Sequence, residues 1–182
     1  MSKFVLIDGH SILNRAFYGV PIFTNSEGLH TNAVFGFLNI MFKIIDSKQP
    51  DYMAVAFDVH QPTFRHEMFK DYKGTRKPMM EELREQVPVI KELLQKMNIT
   101  TVELPGYEAD DVIGTLSKKG EKAGMEVDVI SGDRDLLQLA SDHITICIPK
   151  TKKGQTTVEE YNTEGVRKLY KVTPTEFIDV KA

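Results

Sequence analysis

Acidic residues recur in this sequence directly after short apolar runs, and their types admit a narrow chemistry. Asp8 follows the run Phe4 to Ile7, Asp58 follows Met53 to Phe57, and Asp133 and Asp135 follow Glu126 to Ile130 across Ser131-Gly132. Glu108, Asp110 and Asp111 open a segment of helical spacing just past Leu104-Pro105-Gly106. If the apolar runs are strands of one parallel sheet, their carboxyl ends form its ligand-binding edge, and all of these carboxylates converge in one cleft. Two unit charges about 4 Å apart repel by roughly 4 kcal/mol at an effective dielectric near 20. Such a cluster must be partly protonated or must bind cations. No His or Cys falls at ligand spacing among the acids, and an all-oxygen donor set favours Mg²⁺ or Mn²⁺ over Zn²⁺. Two such ions roughly 4 Å apart clamp a phosphodiester, one activating water and the other stabilising the leaving oxygen.

A plainer account exists for each piece. A lone Asp after a strand is ordinarily a turn or helix cap, and acids in the first turn of a helix answer its dipole. Asp133-Arg134-Asp135 resists that account, because two acids just past a buried strand repel unless something binds between them. Glu108 and Asp111 share a helical face while Asp110 points away, unless Glu108 sits in the preceding turn.

The cations are gathered in one place. Between Phe64 and Pro78 stand Arg65, Lys70, Lys73, Arg76 and Lys77 against Glu67 and Asp71, an excess of three positive charges in a chain of net charge −3. With Tyr72 among them, this segment suits a phosphate backbone and an unstacked base; its plainer reading is a solvated loop before the next helix.

The elements that must position these groups alternate. Phe4 to Ile7, Met53 to Phe57, Glu126 to Ile130 and Ile144 to Ile148 read as buried strands. Helical spacing predicts helices over Asn32 to Ser47, over the stretch carrying Leu83, Val87, Ile90, Leu94 and Met97, and over Glu108 to Lys122. Strands separated by helices predict an α/β fold, a mostly parallel central sheet flanked by helices. Lys150 to Gln155 reads as a polar hairpin turn. Thr173-Pro174 with Glu176 reads as a helix start, so residues 173–182 are expected to begin a further helical region cut short at Ala182.

At 182 residues, 41% of them apolar, the chain can bury one full core. Its single cysteine, Cys147, excludes an intrachain disulfide. The run after Met1 is too brief for a signal segment or membrane span, and a cytoplasmic location is expected. No Gly-x-Gly-x-x-Gly follows the first strand, which disfavours a dinucleotide fold. A dehalogenase-type hydrolase would carry a second Asp two residues after Asp8, where His10 stands.

Five ordered motifs carry a resemblance: Asp8-Gly9-His10-Ser11 with Arg15-Ala16-Phe17, then Ala56-Phe57-Asp58, Tyr72-Lys73-Gly74-Thr75-Arg76, Gly106-Tyr107-Glu108-Ala109-Asp110-Asp111, and Gly132-Asp133-Arg134-Asp135. Along essentially its whole length the chain resembles the 5′ nuclease family, that of the N-terminal 5′-3′ exonuclease domains of bacterial DNA polymerase I and of flap endonucleases. The resemblance implies a PIN-like catalytic domain over residues 1–172, with a helical arch at about 70–97, two divalent ions (Mg²⁺ or Mn²⁺), and cleavage near a 5′ end. It implies that Asp8, Asp58, Glu108 and Asp110 surround the first ion with Asp111 nearby, and that Asp133 and Asp135 serve the second. It implies that Lys73 stands by the scissile phosphate, that Tyr72 stacks, and that Arg15 and Arg76 contact phosphates; Arg65 and Lys77 join them as expected DNA contacts. Expected partners are DNA with a free 5′ end or flap and an RNA primer–DNA hybrid, in a monomer natively fused to a polymerase domain. The family continues past Ala182 into further carboxylates and a helix-hairpin element, so a DNA-binding fragment without turnover is one alternative. A PIN-type ribonuclease is another.

Overall fold

The computed structural model describes residues 1–59, 61–75, 78–152 and 155–181. Its first strand, β1 (Lys3–Asp8), runs straight into α1 (Gly9–Gly19), and α2 (Asn32–Lys48) leads to β2 (Tyr52–Ala56). Three helices follow: α3 (Phe64–Met68), α4 (Glu81–Arg84) and α5 (Gln86–Lys96). The short β3 (Thr100–Val102) then precedes α6 (Ala109–Lys122) and β4 (Glu126–Ile130). A 3₁₀ helix at Arg134–Leu139 connects to β5 (Ile144–Lys152) and β6 (Gln155–Tyr161), and α7 (Thr163–Tyr170) and α8 (Phe177–Lys181) complete the order.

The strands form one sheet in the order β3-β2-β1-β4-β5-β6. All neighbours are parallel except the last pair, an antiparallel hairpin paired as far as Lys152 and Gln155. Lys153 and Gly154, the tip of the turn expected there, lie outside the described residues.

Pleating explains why the strand runs are continuously apolar. In β1, Val5 and Ile7 join a cluster with α1, α2, α4 and α5, while Leu6 joins the opposite cluster with α6, the 3₁₀ helix and Phe177 of α8. Each face of the sheet is covered, so neither can be polar.

The helix expected around Leu83 to Met97 is broken at Glu85 into α4 and α5. Pro88 lacks an amide hydrogen and cannot bond back to Arg84, so the ladder restarts just ahead of it. Leu83, Val87, Ile90 and Leu94 are buried in the core. The latter part of the stretch expected as an arch, residues 81–96, is therefore packed against the sheet, while Lys73, Pro78, Met79 and Met80 line the cleft. Residues 173–176 turn into α8, with Thr173 and Glu176 bonded reciprocally as a helix start requires.

The strand order reverses at β1, which has β2 on one side and β4 on the other. In an open α/β sheet, the crevice beyond the carboxyl ends at such a switch point is where ligands bind.

Candidate functional site

Asp8 ends β1 and caps α1, its Oδ1 accepting the Ser11 amide at 3.1 Å. Its other oxygen accepts the Ser131 hydroxyl at 2.7 Å, from the segment just past β4. Ser131 Oγ also accepts the Asp133 amide, and Ser11 Oγ accepts that of Gly132. These bonds stitch the two strand ends at the switch point together. Asp133 caps the 3₁₀ helix by accepting the Asp135 amide at 2.8 Å. Asp58, just past β2, accepts the Ala109 amide at 2.8 Å and so lies at the N-terminus of α6. Glu108 precedes that helix in extended conformation, φ −90° and ψ 159°. It sits in the turn, which leaves Asp110 free to face the acids from the helix's first turn. Each acid thus lies at a helix N-terminus, where backbone dipoles offset part of its charge.

Asp8, Asp58, Glu108, Asp110 and Asp133 line one cleft of about 940 Å³. Two of them, Asp8 and Asp110, hold their protons unusually well. Burial pushes Asp8 up to about 6, with the charges of Asp58 and Asp133 adding to it against the bonds from Ser131 and Ser11. Burial likewise pushes Asp110 up to about 7, aided by the charges of Asp8, Asp133, Asp58 and Glu108. Such pressure is what clustered carboxylates in a partly dry site produce. A hard divalent cation relieves it, and the oxygen-rich donor set fits one.

Cations stand on the cleft wall. Lys73 Nζ lies 2.7 Å from Glu108 Oε1, and the Tyr72 hydroxyl donates to Glu108 Oε2 at 3.2 Å. Lys73 adopts a left-handed backbone, φ 56°, a conformation that costs a non-glycine residue on the order of 1 kcal/mol and clusters at functional sites. Arg15 of α1 also lines the cleft, and its buried Nε has no hydrogen-bond partner. Burial lowers its guanidinium below the usual arginine value. A guanidinium on the cleft wall suits an incoming anion.

Two expected acids do not enter this cleft. Asp111 takes both guanidinium nitrogens of Arg65 at 2.7 Å and the Glu108 amide at 3.0 Å, and Arg65 holds its carboxyl below the usual range. Asp135 lies exposed in the first turn of the 3₁₀ helix. Both line a neighbouring groove, which shares Tyr107, Glu108 and Asp110 with the cleft. The single seven-acid cluster expected from strand ends is therefore five acids and an adjoining two, because a helical turn rotates Asp111 and Asp135 onto other faces. Among the described residues no three His, Cys, Asp or Glu side chains already close around one point. Repulsion and internal bonds hold the acids apart. Arg76 and Lys77 lie outside the described residues.

One residue escaped the sequence reading, which placed no histidine among the acids. His10, in the first turn of α1, lines the cleft, and its Nδ1 accepts the Asp58 amide at 3.1 Å. Its position two residues after Asp8 was the available signal.

A family model described as "5'-3' exonuclease, N-terminal resolvase-like domain" matches residues 3–171. DNA polymerase I of Bacillus caldotenax is 51% identical over 179 residues, covering 98% of this chain and 20% of that protein, so the chain spans about a fifth of its relative's length. Among solved structures, bacteriophage T5 5′-exonuclease with bound divalent metal ions (zinc) superposes with a TM-score of 0.75 at 23% identity, covering 98% of this chain and 65% of that one. The T5 flap endonuclease in a pseudo-enzyme–product complex with DNA and metal ions gives a TM-score of 0.74 at 23% identity and the same coverage. At that identity the likeness speaks for the fold.

Proposed function

The chain belongs to the 5′-3′ exonuclease N-terminal resolvase-like domain family, and from that membership we propose that it is a divalent-metal-dependent 5′ nuclease hydrolysing DNA phosphodiesters at or near a free 5′ end or flap. The observation that carries the reading is the convergence of Asp8, Asp58, Glu108, Asp110 and Asp133 on one cleft at the switch point, with Lys73 and Arg15 on its wall. In this reading Asp8, Asp58, Glu108 and Asp110 hold one ion, Mg²⁺ or Mn²⁺, and Asp133 with Asp135 serves a second; Asp111 stands back from both, holding Arg65. When bound, the ions supply an activated water and offset charge on the leaving oxygen.

The chain's own residues do the rest. Lys73, paired with Glu108 on the cleft wall, is placed to neutralise the scissile phosphate. Arg15, on the cleft wall, offers its guanidinium to a neighbouring phosphate, and Tyr72 offers a ring to an unpaired base. Arg65 extends the basic edge, and Arg76 and Lys77, outside the described residues, are proposed as further DNA contacts. Removal of RNA primers and flaps in replication and repair is the process this chemistry serves. The fusion to a polymerase domain and a cytoplasmic setting belong to the same proposal. No helix among the described residues is long and apolar enough to cross a membrane.

A DNA-binding module without turnover draws on the wide spacing of the acids. One assay separates the readings: a 5′-flap substrate incubated with Mn²⁺, with EDTA, and with Mn²⁺ and Asp110→Asn. Cleavage in the first arm alone is expected. Binding without cleavage in all three would leave the non-catalytic module, and equal cleavage of an RNA flap would favour a ribonuclease.

A further inference from the structure

The groove beside the acid cleft has a composition that the metal chemistry does not require. It has a volume of about 1170 Å³, runs along the outer face of α6, and joins the cleft through Tyr107, Glu108 and Asp110. Near the cleft it exposes Phe64, Leu104 and Tyr107, 38%, 47% and 48% accessible. The Phe64 and Tyr107 rings stand 5.7 Å apart, and the Arg65 guanidinium lies 4.6 Å over Phe64. At the far end of α6 are Lys118, Lys119 and Lys122. With a rise of about 1.5 Å per residue, Asp110 and Lys122 lie about 18 Å apart along the axis.

Lysines at a helix C-terminus answer its dipole, and that alone would explain them. It does not explain why three exposed apolar side chains, two of them aromatic, share the groove with them. Aromatic rings at one end and cations at the other match an unpaired strand, with bases on the rings and phosphates on the ammonium groups. Lys118 pairs with Glu121 in an exposed i,i+3 pair of the kind that holds a side chain weakly.

We propose that this groove binds single-stranded nucleic acid leading away from the acid cleft, with Tyr107 and Phe64 as its stacking shelf and Lys118, Lys119 and Lys122 as its phosphate contacts. The proposal rests on the 5′ nuclease reading, and it assigns a second stretch of the substrate to this chain.

The test uses fluorescence anisotropy of single-stranded oligodeoxynucleotides of about four to about twelve nucleotides, within the range of strand-binding sites, with Ca²⁺ present. Wild-type affinity is expected to rise with length. The triple variant Lys118→Glu, Lys119→Glu, Lys122→Glu is expected to flatten that rise, weakening the longest strand by about tenfold or more and making its affinity less sensitive to salt. Tyr107→Ala, which leaves the charges intact, is expected to lose about tenfold at every length that reaches the shelf. Wild-type length dependence in both variants, with the wild type still cleaving a 5′ flap in Mn²⁺, would overturn the groove alone. Absence of wild-type binding and cleavage would overturn the groove and the nuclease reading together.

Discussion

Lys73 Nζ lies 2.7 Å from Glu108 Oε1, so a cation of the turn after α3 already closes on the acid that precedes α6. The pair is partly exposed, 32% for the lysine and 11% for the glutamate. Its contribution to stability is therefore small, and the left-handed backbone of Lys73 works against it. In the proposed nuclease reading, the contact holds a positive charge beside the reacting phosphate. Lys73→Ala is expected to lower the flap cleavage rate by about a hundredfold, as loss of a preorganised charge commonly does. Binding of the same flap in Ca²⁺ should change by less than about threefold, and a cleavage rate within that range of wild type would remove Lys73 from the mechanism.

Replacing Asp110 tests the cluster from the side of stability. Its carboxyl is pushed to about 7 by burial and by four neighbouring acids, so its charged form is a liability in the metal-free fold. Asp110→Asn is expected to raise metal-free stability at neutral pH by on the order of 1–2 kcal/mol. The same change should abolish most of the Mn²⁺-induced rise in melting temperature. A variant less stable than wild type in EDTA, with an intact Mn²⁺ response, would show that Asp110 is a structural acid only.

The dual character of these acids explains how much of the site was legible in the sequence. Apolar runs ending in Asp8 and Asp58 and the run before Asp133 gave strands, a parallel sheet and a shared edge, because strand burial and strand direction are local properties. Cap and cleft acid were posed as alternatives, yet Asp8 is both: one oxygen caps α1 and the residue lines the cleft. Asp111 could not be placed from spacing, since its orientation is decided by Arg65, 46 residues away. The arch expected through residue 97 stopped short because Leu83, Val87, Ile90 and Leu94 serve the core as well as the helical pattern. The edge strand β3 has three residues and no apolar run to announce it.

The metal response should depend on pH in a defined sense. Asp8 and Asp110 are raised from 3.8 to about 6 and about 7, so both hold protons more tightly folded than unfolded. Stability from these protons is fully present below the unfolded value and is lost as pH rises through the folded ones. Divalent cations compete with the same protons. The melting-temperature rise produced by saturating Mn²⁺ should therefore be larger at about pH 8 than at about pH 5.5. An equal rise at both pH values would mean that the ion binds elsewhere.

Gly9 makes the site sensitive to a single methyl group. A Cβ at this position would meet the Phe57 ring at 2.4 Å, and Phe57 is 1% exposed. Gly9 lies between Asp8 and His10, while Phe57 immediately precedes Asp58, so relief of the clash must shift one of the two strand ends that carry acids. Gly9→Ala is expected to cost about 1–3 kcal/mol by overpacking and to weaken Mn²⁺ binding as well. Denaturant unfolding with parallel calorimetric titration checks both, and destabilisation without any change in Mn²⁺ affinity would show that the strain is absorbed away from the cleft.

His10 supplies the remaining test, because its role can be separated from its bulk. Its Nδ1 accepts the Asp58 amide at 3.1 Å, which places the proton of the neutral ring on Nε2. The ring also meets Phe57 edge-on, with centroids 5.4 Å apart. Asp58 in turn holds the first amide of α6, so His10 lies at the head of a chain linking β1, β2 and α6. His10→Ala leaves the Asp58 amide without its acceptor, at a cost of about 1–3 kcal/mol where water cannot replace it, and loosens a carboxylate of the cleft. His10→Asn keeps an acceptor oxygen near the position of Nδ1. Calorimetric Mn²⁺ titration should show the Ala variant weakened several-fold and the Asn variant close to wild type. If the two variants bind Mn²⁺ equally, the imidazole nitrogen is not what holds Asp58 in place, and packing on Phe57 remains as its contribution.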